Sequence, residues 1–126
     1  MFDEADLIHS YTRAEALADG VLIDVTETAR EVGFRIPVAL TSTVWSDCVA
    51  WTDEDSARVV YQDEAGRLWD VLWMATMAVR RNPNANQVLY KLILHHGRYT
   101  YATLKLHIGP GDNGEAVATI MLPDED

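Results

Sequence analysis

The sequence predicts an α+β fold: an N-terminal helical layer packed on a C-terminal three-stranded antiparallel β-meander. Three observations carry that prediction. Apolar residues recur at helical spacing as far as Arg81, the period changes to alternation beyond Asn86, and glycine-containing turns separate the alternating runs. With 126 residues the chain suits one domain and is too short for two ordinary ones, so residues 1–126 are read as a single globular domain.

The first helix starts after Thr12, because Thr12-Arg13-Ala14-Glu15 has the spacing of a capping box, and Gly20 stops it beyond Ala16, Leu17 and Ala18. Val21-Leu22-Ile23 then crosses the core and can add an edge strand to the sheet. Thr26 caps a second helix through Glu27, Ala29, Arg30 and Val32 to Gly33. Arg35-Ile36-Pro37 is extended, since the residue before proline avoids the helical basin. Thr41 or Ser42 caps a third helix in which Val44, Trp45, Cys48, Val49 and Trp51 recur at helical spacing, up to an acidic turn at Thr52-Asp53-Glu54-Asp55. Val59-Val60-Tyr61 fits a short strand or the start of the next helix equally well.

The fourth helix is the clearest, with Leu68, Val71, Leu72, Ala75 and Val79 on one stripe between Gly66 and Arg80-Arg81. Its basic end suits the helix dipole, and Asn82-Pro83-Asn84 ends it. Strands follow over residues 88–95, 99–108 and 116–122. The link around His96-Gly97-Arg98 has hairpin length, and Gly109-Pro110-Gly111-Asp112-Asn113-Gly114 supplies residues able to turn. In the middle strand Thr100, Ala102, Leu104, Leu106 and Ile108 form the apolar face, and Tyr99, Tyr101, Thr103, Lys105 and His107 the mixed one.

Composition narrows the function. Twenty acids against ten bases leave a formal charge of −10, which argues against a cationic groove for nucleic acid, so no direct nucleic-acid partner is expected. The single Cys48 excludes an intramolecular disulfide and any multi-cysteine zinc site. No apolar run approaches membrane-spanning length and the opening residues lack a signal-peptide pattern, so the expectation is a cytoplasmic protein without a membrane partner. The charge is uneven: residues 1–63 hold thirteen acids and four arginines, whereas residues 64–126 hold seven acids and six bases. Size scaling gives a surface of about 6,700 Å², one net negative charge per roughly 670 Å², against roughly 100 Å² for duplex DNA. Imitating DNA therefore requires the acids to gather on one face.

Catalytic signatures are sparse. Gly109, Gly111 and Gly114 match a G-x-G-x-x-G count, but between two strands they read as a hairpin turn, without the helix N-terminus a phosphate loop needs. His95 and His96 point to opposite faces of a strand; His107 on the next strand could approach one of them, with Asp112 as a nearby carboxylate, to make a metal or acid/base site. Cys48 lies on an apolar helix face, where a thiol is buried and inert unless a histidine docks on it. The carboxylate pairs Asp53 with Asp55 and Asp3 with Asp6 fall in solvated runs, and acid/base work would need an apolar pocket around one of them. Trp69 and Trp73 share a face beside the core stripe, which makes them either core packing or an exposed anchor, and helix-end pairing accounts for Arg67 and Asp70.

Three stretches carry a resemblance: Tyr11-Thr12-Arg13 with residues 19–27, then Gly66-Arg67-Leu68-Trp69-Asp70-Val71-Leu72, and Gly111-Asp112-Asn113-Gly114-Glu115 with Thr119-Ile120-Met121-Leu122-Pro123. Together they resemble an uncharacterised family of small acidic proteins carried on bacterial plasmids, integrative elements and phages. Where that family often has a proline after the Gly-Glu pair, this chain has Ala116. The resemblance implies no catalytic residue. It does imply a setting in which small acidic proteins act as inhibitors of host defence, an association and not a mechanism.

The expected function is therefore a non-catalytic protein-binding accessory protein of a mobile element: an anti-CRISPR or antirestriction inhibitor that covers a basic nucleic-acid-binding surface. Its partner is a host protein or protein–nucleic-acid complex, no cofactor or metal is expected, and the contact patch is Asp53, Glu54 and Asp55 with Trp51 as anchor. The competing readings are a small enzyme using His95, His107 and Asp112, with or without a metal, and a homodimer built through an exposed strand.

Overall fold

The computed structural model describes residues 11–126. Its elements, in chain order, are α1 (Arg13–Ala18), β1 (Leu22–Asp24), α2 (Thr26–Val32), β2 (Val38–Thr41), and α3 (Ser42–Val44), which passes without a break into a π-helical turn, Trp45–Val49. Then come α4 (Asp53–Arg58), α5 (Glu64–Arg81), β3 (Gln87–His95), β4 (Tyr99–Pro110) and β5 (Ala116–Met121). The fold is α+β, but the sheet is not the three-stranded antiparallel meander that the sequence predicts. It has five strands in the order β1-β2-β5-β4-β3 and is mixed.

The meander itself is present, with β3 antiparallel to β4 and β4 antiparallel to β5. The correction comes from β2, which runs parallel to β5 with Val38 opposite Ala118 and Leu40 opposite Ile120; β1 pairs antiparallel to β2 at the edge, the place the sequence allowed for an added strand around residues 21–23. β2 hides from pattern reading because all four of its residues are buried. A strand covered on both faces shows a short apolar run instead of alternation, and Val38-Ala39-Leu40 between a proline and a helix cap is too short to declare its type.

Local chemistry fixes the helices. Thr12 accepts the Glu15 N–H at 3.0 Å, as a capping residue should. Arg13 and Ala14 donate their backbone N–H groups to the Asp112 carboxylate at 2.8 and 3.0 Å, so the β4–β5 turn supplies the rest of the α1 cap. The Arg13 guanidinium adds bonds to Thr119 Oγ1 at 2.7 Å and the Ala118 carbonyl at 2.9 Å, which pins α1 across β5. α5 begins two residues before Gly66, where Asp63 accepts the Gly66 N–H at 2.7 Å. The acidic run expected as a turn is instead the first turn of α4: Thr52 accepts from the Asp55 N–H and Asp55 accepts from the Thr52 N–H, both at 3.0 Å, a complete capping box. Val59 caps the C-terminal end of α4, so residues 59–61 are neither a strand nor the start of α5.

The core lies between α5 and one sheet face. Leu72 and Val71 meet Leu104, Leu106, Leu40 and Ile120, all fully enclosed. Tyr90 sends its hydroxyl to the Val71 carbonyl at 3.1 Å, and burial raises its pKa well above the ordinary tyrosine value. Among the described residues no helix is long and apolar enough to cross a membrane.

Candidate functional site

One corner of the molecule gathers most of the residues singled out above. It forms where the π-helical turn, α4, the first turns of α5 and the β3–β4 hairpin meet. The π turn closes with the Ala50 N–H donating to the Trp45 carbonyl at 2.8 Å, a five-residue span that widens the helix. Such turns are rare and concentrate at functional sites. Here it leaves the Val49 carbonyl free to accept from Arg67 Nε at 3.0 Å.

Arg67 is the centre of the corner and only 5% exposed. Its guanidinium lies over the Trp51 ring with 4.6 Å from Cζ to the centroid, a cation–π stack that desolvation strengthens to about 2 kcal/mol. Nη1 reaches Gln62 Oε1 at a long 3.4 Å, and Nη2 is buried with no hydrogen-bond partner among the described residues. Burial lowers the Arg67 pKa, against opposing pulls from Cys48, Asp55, Asp70 and Glu64. The helix-end pairing expected between Arg67 and Asp70 does not form: the one ion pair among the described residues is the exposed Arg58–Glu54 contact at 3.0 Å.

Trp51 is consequently a wall of this corner and not a free anchor. Its indole N–H donates to Ser56 Oγ at 3.1 Å, its ring sits 6.0 Å from that of His96, and its backbone N–H donates to Glu64 Oε2 at 3.3 Å. That last bond sets the N-terminus of α5 beside that of α4. Asp53, Glu54 and Asp55 thus share one end of the molecule with Asp63 and Glu64. Glu54 is held by Arg58 one turn on. The Asp55 carboxyl is kept below the usual carboxylate range by its hydrogen bonds to Thr52.

A cavity of about 180 Å³ opens behind Arg67, lined by Cys48, Gln62, Asp70, Leu92, Leu94, His95 and Tyr99 among others. A second, of about 380 Å³, shares Gln62, Arg67 and Asp70 with it and reaches Trp69. Cys48 is 1% exposed, and burial pushes its thiol up to about 11, so it is a neutral wall at ordinary pH. Burial also raises the Asp70 carboxyl, with Arg67 pulling the other way. The His95 ring meets Tyr99 edge-on at 4.5 Å and its Nδ1 faces the Gly97 N–H at 3.4 Å. The Gln62 amide donates to the His95 carbonyl at 2.8 Å, tying the hairpin to the segment before α5.

The other sequence candidates are dispersed. In the β3–β4 register His95 faces Tyr99 whereas His107 faces Gln87, at the far end of the hairpin, so the two histidines are separated by about 26 Å of strand. Asp112 is engaged at α1. Among the described residues no three of His, Cys, Asp and Glu are placed to hold a metal ion. Gly111 and Gly114 lie in the β4–β5 turn, with Gly114 at φ +82°, whereas Gly109 belongs to β4 and faces Val117 on β5. Trp69 and Trp73 are each about two-fifths exposed, on the surface beside the core stripe. Asp3 and Asp6 lie outside the described residues.

A second surface was legible only as the mixed face of the middle strand. Tyr99 and Tyr101 on β4 are 75% and 74% exposed, with Ile93 and Leu89 exposed on the same face of β3. Residues 82–111 contain no Asp or Glu, in a chain whose net charge is −10. Sequence reasoning missed Arg67. The available signal was its place four residues before Val71 and eight before Ala75, inside the buried stripe of α5.

The profile of a family described as Family of unknown function (DUF6573) matches residues 1–126. No curated protein and no solved structure matches the chain.

Proposed function

Since the chain belongs to the DUF6573 family, whose description assigns no activity, we propose from the geometry that it is a non-catalytic binding protein that meets a basic protein surface through its acidic corner. The observation that carries this reading is the Trp51–Glu64 bond. It brings the first turns of two helices together and so gathers Asp53, Glu54, Asp55, Asp63 and Glu64 at one end, with Arg58 as a countercharge. Concentrated charge of one sign steers association and fixes orientation more than it adds affinity. In its finer form the proposal makes the protein an accessory of a mobile element that covers the nucleic-acid-binding surface of a host defence complex; the acidity and the resemblance of its motifs support that form.

The test is capture of host proteins by the full chain and by an Asp53→Lys/Glu54→Lys double variant. Asp55 is left intact because it caps α4. Proteins retained by the wild type at about 0.1 M salt should be lost by the variant and lost again at about 1 M salt, where the screening length falls to about 3 Å. Retention of the same proteins by the variant at both salt levels removes the acidic corner from the interface.

One observation favours a second reading, self-association. Among the described residues β3 has a strand neighbour on one side only, and its exposed face continues into Tyr99 and Tyr101 with no carboxylate nearby in sequence. An aromatic-rich face that carries Lys91 and Lys105 but no carboxylate, beside a free strand edge, has the composition of a protein contact.

A further inference from the structure

We propose that the open edge of β3, together with the groove between it and the C-terminal half of α5, takes up an extended peptide segment of another protein as an added strand, one with apolar residues at alternate positions and a carboxylate among them.

The backbone of β3 prepares that edge. The Ile108 N–H donates to the Asn86 carbonyl at 2.8 Å, one step beyond the Gln87–His107 pair. Bonded and unbonded pairs alternate along an antiparallel ladder, so Val88, Tyr90 and Leu92 exchange hydrogen bonds with β4. Gln87, Leu89, Lys91 and Ile93 therefore turn their N–H and C=O groups to the side on which, among the described residues, β3 has no neighbour. His95 follows the same parity. Its outward carbonyl accepts from the Gln62 amide at 2.8 Å, which closes the edge at the hairpin and leaves residues 87–93 open. A row of unpaired backbone groups is a template for another strand.

The groove beside the edge selects the side chains. It is lined by Met74, Met77 and Arg81 from α5 and by Leu89, Tyr90 and Lys91 from β3, among others. At about 360 Å³ it has more than twice the ~150 Å³ that admits benzene, room for the side chains that a strand directs to one face. Methionine adapts to apolar partners of differing shape, and Met74 and Leu89 are both exposed. No carboxylate lines the groove, and Arg81 and Lys91 make no ion pair among the described residues. Two β3 edges pairing with each other would bring the Lys91 and Arg81 of both copies to one seam, and like charges opposed across a ladder destabilise it. An acidic strand meets those cations favourably. The acidic corner sits at the other end of α5, so the groove and the reading above stand or fall separately.

The test is an NMR titration of the full chain with a blocked nine-residue peptide in which threonine alternates with valine and glutamate replaces the central threonine. Saturable shifts should appear at Leu89, Lys91 and Ile93, and hydrogen exchange at those amides, fast in the free chain, should slow about tenfold on saturation. The same peptide N-methylated at alternate residues lacks the donors a ladder needs and should not bind. Lysine in place of the glutamate should weaken binding about three- to tenfold, and Lys91→Glu should reverse that preference. Leu89→Pro removes one outward N–H and no bond to β4, so it should abolish binding while circular dichroism stays unchanged. Edge amides already protected in the free chain, an absence of saturable shifts, binding of the N-methylated peptide, or a charge preference that Lys91→Glu leaves as it was overturns the proposal. A dimer in light scattering with those amides protected gives the edge to a second copy and overturns it as well.

Discussion

The two halves of the sheet are built from the same kinds of residue and differ in what covers them. In the β1-β2-β5 half both faces are closed along β2 and along β5 beyond its first residue. Val38, Leu40, Ala118 and Ile120 face the helical core, while Ala39, Thr41, Val117, Thr119 and Met121 are buried on the other side. α1 is pinned there through Arg13. The C-terminal turn is held by Glu125, which accepts from Thr41 Oγ1 at 3.0 Å and from the Leu122 N–H at 2.8 Å. Lys105 Nζ adds bonds to the carbonyls of Glu125 at 2.7 Å and Pro123 at 3.2 Å. In the β3-β4 half only the inner face is closed, and Tyr99 and Tyr101 stand in solvent. The difference teaches that the first half is organised for stability, and that the second leaves a surface whose residues the fold does not need.

Substitutions can break or sharpen that contrast. The largest effect belongs to Leu40→Ala, in the strand that joins the antiparallel and parallel parts of the sheet: a fully buried leucine lost to a cavity should cost about 2–5 kcal/mol in urea unfolding. Next comes Arg13→Ala, which frees α1 from Thr119 and Ala118 while leaving the backbone bonds to Asp112 in place. A loss of about 1–2 kcal/mol is expected, since the side chain is half-buried. The smallest is the double change Tyr99→Ser/Tyr101→Ser on the bare face, which should move stability by no more than about 0.5 kcal/mol. If that face joins two copies, light scattering should show a dimer for the wild type and a monomer for the double variant. A loss of stability in Tyr99→Ser/Tyr101→Ser matching that of Leu40→Ala would erase the distinction between the halves.

Much of this was legible in sequence because the signals are local. The Thr12 cap, the Leu68-Val71-Leu72-Ala75 stripe and the alternation of β4 each report a covered face within a few residues. What failed were elements whose surroundings come from afar. Residues 42–51 carry helical spacing, but the last five helical residues form a π turn, a distinction that periodicity over so short a span does not make. Thr52-Asp53-Glu54-Asp55 contains a capping signal read as a turn, because helix starts and turns draw on the same polar residues. The approach of the α4 start, with its acidic residues, to the α5 start depends on Trp51 meeting Glu64, thirteen residues away.

The sequence by itself determined the α+β class, the Thr12 and Thr41 helix caps, the β3–β4 hairpin, the burial of Cys48 and the excess of negative charge, since each follows from composition or from neighbours along the chain. Only the tertiary structure decided that β2 lies parallel to β5, that Asp112 caps α1 instead of joining a histidine, and that Arg67 is enclosed with no ion pair to a carboxylate of the described residues. Those outcomes are set by which distant segments come together, and a pattern along one segment carries no information about the partner that will cover it.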